Sequence, residues 1–93
     1  MEEVKTSVEL GFGEPKVGYE WDAGNTPPGD KSQGRWTVRR TPDNWLVIFH
    51  SFQDSSQGVG PDYITATFSP TEDGERAAKT MALKLVDIAW GRQ

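Results

Sequence analysis

Hydrophobic and polar positions along the chain change period several times, and each change marks an element. Val4, Thr6, Val8 and Leu10 alternate with Lys5, Ser7 and Glu9, the period-two pattern of a half-buried strand. Gly11-Phe12-Gly13-Glu14-Pro15 interrupts it, and Val17, Tyr19 and Trp21 resume it, so residues 3–22 are expected to form a hairpin. Residues 23–34, rich in Gly, Pro, Asn and Ser, read as a mobile loop. Arg35 to Arg40 and Trp45 to Phe52 flank Thr41-Pro42-Asp43-Asn44, with Pro where a type I turn prefers it. The resulting 35–52 hairpin should pair Val38 with Val47 and Trp36 with Phe49 on the core face. On the other face it should pair Arg39 with Leu46, Thr37 with Ile48, and Arg35 with His50.

Residues 53–62 read as a second polar loop. A strand over 63–68 follows, with Ile64, Ala66 and Phe68 inward and Tyr63, Thr65 and Thr67 outward. The period then becomes helical. Ala78, Met81, Ala82, Leu85 and Ala89, widened by Val86 and Ile88, predict a helix over 70–90. Ser69 is the expected cap, with Pro70 in the first turn and Gly91 as the stop. The pattern predicts one α+β domain over 1–93: an antiparallel meander of about five strands with one C-terminal helix packed on one face.

Composition limits what such a domain can do. Ninety-three residues hold no cysteine and one histidine, His50, so thiolate chemistry is excluded and no second histidine supports metal ligation or base catalysis. The sequence therefore predicts no enzyme, no metal site and no cofactor. No apolar run approaches the ~20 residues of a membrane span, and the acidic, alternating start is unlike a signal peptide, so a cytoplasmic location is the default expectation. Net charge is −4, and residues 1–22 alone carry it: six acidic side chains stand against Lys5 and Lys16.

Two surfaces remain for binding. The expected sheet face away from the helix gathers Arg35, Thr37, Arg39, Leu46, Ile48, His50, Tyr63 and Thr65, a mixture suited to recognition and, in a second copy, to homodimerisation. An acidic patch of Glu9, Glu20 and Asp22 could steer a basic protein surface. Arg35 to Arg40, a hairpin, a strand ending in Phe68 and the helix with Ala77 to Leu85 also resemble AP2-like and phage-integrase arm-binding domains, over about residues 35–88. That resemblance implies DNA contact by Arg35, Arg39 and Thr37 from the sheet. The leading expectation is nonetheless a small protein-binding module, of the kind by which bacterial and phage regulators and inhibitors occupy a partner's surface. The alternative is a nucleic-acid-binding domain using Arg35 and Arg39.

Overall fold

A computed structural model describes residues 4–27, 33–51 and 62–91. Four strands, β1 (Glu20–Asn25), β2 (Gly34–Arg40), β3 (Trp45–Ser51) and β4 (Asp62–Phe68), form an antiparallel meander in the order β1-β2-β3-β4. The helix α1 (Glu72–Ala89) packs across one face. The class is α+β as expected, with four strands among the described residues rather than about five. Of the two expected loops, residues 28–32 of the first (23–34) and 53–61 of the second (53–62) lie outside the described residues, as does Phe52.

The fifth strand is absent because Val4 to Leu10 does not extend. Thr6 and Glu9 form a reciprocal capping box: Glu9 Oε1 accepts the Thr6 N–H (2.9 Å) and Thr6 Oγ1 accepts the Glu9 N–H (3.2 Å). The chain then turns, with Leu10 N–H on the Thr6 carbonyl (3.0 Å) and Phe12 N–H on the Ser7 carbonyl (2.9 Å). Thr6 and Ser7 are buried while Val8 and Leu10 are exposed, the reverse of a strand with its apolar side inward. β1 also runs further than expected, taking Ala23 to Asn25 from the loop. It does so with a bulge at Ala23, where the Asp22 carboxylate accepts the Gly24 N–H (2.9 Å).

The β2–β3 hairpin has the expected register at every pair from Arg35↔His50 to Arg40↔Trp45. Val38, Trp45 and Val47 form the core with Ala78 and Ala82 of the helix, and Trp21, Trp36, Ala66, Phe68, Met81 and Leu85 pack around it. Trp45 also meets Tyr19 edge-on at 6.2 Å between ring centroids. Alanine at 78 and 82 lets the helix backbone approach the sheet closely.

The helix begins later than expected. Thr71 caps it, in extended backbone geometry, its hydroxyl accepting the Gly74 N–H (3.1 Å); Ser69 lies outside and bonds the Thr71 hydroxyl. A Cβ at Gly74 would fall 1.7 Å from the Ser69 carbonyl oxygen, so this turn closes only over a glycine. The apolar stripe also stops short at its far end, where Ile88 and Ala89 are exposed and Gly91 ends the helix at φ 75°.

β4 departs from strict alternation. Ala66 pairs with Val47 and Ile64 with Ile48, so Thr65 is an extra residue in a bulge. Ala66 and Phe68 keep the core side. Beyond the bulge the parity reverses: Ile64 turns to the outer face and Tyr63 to the helix side, opposite to the expectation for both.

Candidate functional sites

The outer sheet face is the first candidate, and cross-strand pairing decides its chemistry. β1 lies next to β2 with Glu20 opposite Arg39 and Asp22 opposite Thr37. Arg39 donates from Nε (3.0 Å) and Nη2 (2.7 Å) to one Glu20 oxygen, and Arg35 Nε lies 3.9 Å from Asp22. Both expected DNA-facing arginines thus sit beside carboxylates of the expected acidic patch. That patch itself is split. Glu9 stands apart at the helix N-terminus, 2.6 Å from Arg76.

The other face residues fall into two groups. Thr37 and Ile48 are buried beneath their longer neighbours, at 1% and 3% exposure, and offer a partner little contact. His50 links two strands: Nε2 lies 2.7 Å from Thr37 Oγ1 and Nδ1 2.8 Å from Asp62 Oδ1. The ionised Asp62 only accepts, which places a proton on Nδ1; in the neutral imidazole Nε2 then accepts the Thr37 hydroxyl. Hydroxyl, imidazole and carboxylate stand in the order of a nucleophilic triad, but with Thr37 enclosed the arrangement pins the start of β4 to β2 through β3. Leu46 is half-buried on this face, and Ile64, missed as an outer residue, is 64% exposed opposite Ile48. Thr65 is exposed at the bulge, and Tyr63 is exposed on the helix side.

The second candidate is the N-terminal segment, which was expected as a hairpin with an acidic outward face. Residues 4–19 form an irregular lobe held to the start of the helix by buried polar groups. Glu75 accepts both the Ser7 N–H (2.9 Å) and the Ser7 hydroxyl (2.7 Å), and pairs with Lys79 at 2.8 Å. Glu75 and Lys79 are 1% and 2% exposed, a buried i,i+4 ion pair. The Lys79 ammonium also lies 5.1 Å from the Trp21 ring centroid and 5.8 Å from that of Tyr19. Thr6 donates to Glu72 (3.0 Å), and Glu9 completes the attachment through Arg76. The Thr6 backbone N–H and then the Arg76 guanidinium hold the Glu9 carboxyl below its ordinary pKa.

So anchored, the lobe turns apolar side chains outward. Val8, Leu10, Phe12, Val17 and Tyr19 are all exposed, and Phe12 reaches 80%. Phe12 stands between Gly11 and Gly13, both in the left-handed region at φ 88° and 82°, a turn that other residues adopt only with strain. The Gly-x-Gly signal was in the sequence. The lobe's direction was not, because a strand there would have hidden half of these residues. A small polar cleft lies beneath it, lined by Val8, Glu14, Arg40, Glu72 and Glu75.

Among the described residues no group of three or more His, Asp or Glu is placed to hold a metal ion, and no helix is long and apolar enough to cross a membrane. The fold and these surfaces define a small α+β sandwich with one sheet face covered by a helix. No family model, no curated protein and no solved structure matches the chain.

Proposed function

We propose that this domain acts by binding another protein, with the N-terminal lobe as the contact surface and Phe12 as its anchor. One observation carries the reading: five large apolar or aromatic side chains are exposed within twelve residues, on a segment tied down by a buried polar network. Exposed apolar groups on a fixed scaffold are what partner surfaces use, because little ordering entropy remains to be lost on binding. A single aromatic entering an apolar pocket is a common hot spot. The partner's matching feature is an apolar groove, and occupation of that groove is the whole activity, as in a regulator or inhibitor that blocks a surface. The pairing of Arg39 with Glu20 and Arg35 with Asp22 favours this reading over nucleic-acid binding, since both cations already face carboxylates.

Phe12→Ala tests it. Phe12 makes no core contact, so the variant should melt within about 0.5 kcal/mol of wild type. Partner affinity should fall by about 2 kcal/mol or more, the size of a hot-spot loss, and should persist in moderate salt for the wild type. Unchanged affinity in Phe12→Ala would reject the lobe as the contact.

A further inference from the structure

The two edges of the sheet are built differently. β1 carries Glu20 and Asp22, a bulge at Ala23, and at its end the Trp90 indole N–H donating to the Asn25 carbonyl (2.8 Å). Charges, bulges and covering groups are the usual means of blocking strand addition. β4 also carries a bulge, at Thr65, but it has no Lys, Arg or Pro, and its one charge, Asp62, is at its start. Tyr63, Ile64, Thr65 and Thr67 are exposed, and among the described residues no strand pairs with its outer side.

We propose that the β4 edge pairs with β4 of a second copy, antiparallel and about a two-fold axis, joining two sheets into one. The inference is independent of the lobe and its partner. The bulge selects the register. A pairing that sets Tyr63 opposite Phe68 of the second copy also sets Ile64 opposite Thr67, with Thr65 and Ala66 at the axis. Tyr63 and Phe68 both lie on the helix side, while Ile64 and Thr67 both lie on the outer side, so each pair shares a face. A one-residue slip would set Tyr63 opposite Thr67, on different faces, which an antiparallel ladder does not allow. The selected register offers an aromatic pair and a β-branched pair, both favourable across strands. Charge agrees with it. The two Asp62 carboxylates would stand roughly 20 Å apart at ~3.3 Å per residue, beyond the ~8 Å screening length of physiological salt.

The test is sedimentation of the full chain over rising concentration. The mass should move from one chain to two, and added salt should favour the dimer because each copy carries −4. Amide exchange in β4 should slow as the dimer forms. Thr67→Lys and Ile64→Lys each place a cation on the exposed edge strand; both variants should keep the wild-type circular dichroism and melting point and remain monomeric. A wild type that stays monomeric throughout overturns the proposal. So does a dimer that both lysine variants leave intact, or one that Phe12→Ala dissolves instead.

Discussion

Glu75 and Lys79 show how a single pair can set the position of a whole segment. Both are enclosed, and Ser7 directs its N–H and hydroxyl to the same Glu75 oxygen that faces the lysine. Removing one charge leaves the other buried and uncompensated, so Lys79→Met should cost about 3–5 kcal/mol. In a domain whose total stability is about 5–15 kcal/mol, that is a large share. Glu75→Gln together with Lys79→Met should recover much of it, because the amide still accepts from Ser7 while no lone charge remains. Urea unfolding of these two variants beside the wild type decides this. Nothing in the sequence distinguished the pair from an ordinary surface couple, since Glu and Lys four residues apart usually lie on a solvated helix face. Glu9 makes a weaker tie that pH should expose. Its carboxyl is held below the ordinary value of 4.5, so its contribution is complete above that value and fades as pH falls through the lowered folded value. The lobe should therefore loosen below about pH 4.5 in the wild type, and Glu9→Gln should remove that part of the acid sensitivity, read by amide exchange at Leu10 and Phe12.

The elements were legible to different depths. The β2–β3 register followed from the sequence because a Pro-Asp-Asn turn fixes the loop and alternation fixes the faces. The helix was also legible, but its cap moved from Ser69 to Thr71 because Gly74 must close over the Ser69 carbonyl. Gly74→Ala should accordingly destabilise the protein despite alanine's higher helix propensity, a reversal visible in the melting temperature. Ala82 is fully enclosed, and Ala82→Leu should cost about 1–3 kcal/mol by overpacking. Leu85 is only partly buried, so Leu85→Ala should fall near the lower end of the usual ~2–5 kcal/mol range. Two elements misled the reading for identifiable reasons. Thr6-Ser7-Val8-Glu9 carries both a strand alternation and a capping box, and the box won because its polar groups bond each other and the helix. In β4 the bulge at Thr65 has no glycine to mark it, so Tyr63 and Ile64 were assigned the wrong faces.

Across the whole molecule, these details redistribute the candidate surfaces. The arginine face, the natural DNA-binding candidate in the sequence, is threaded with carboxylates from β1. The N-terminal lobe, expected as most of a hairpin over residues 3–22, instead holds much of the exposed apolar surface. Its attachment to the first turns of the helix explains how so polar a stretch keeps Val8, Leu10 and Phe12 in place. The most direct test of the central claim is capture of binding proteins from a lysate of the cells the protein comes from. Wild type and Phe12→Ala would be compared after nuclease treatment, with the retained proteins read by mass spectrometry. A protein held by the wild type and lost with Phe12→Ala is the predicted result. Equal retention by both, or retention that nuclease abolishes and that depends on Arg35 and Arg39, would contradict the account.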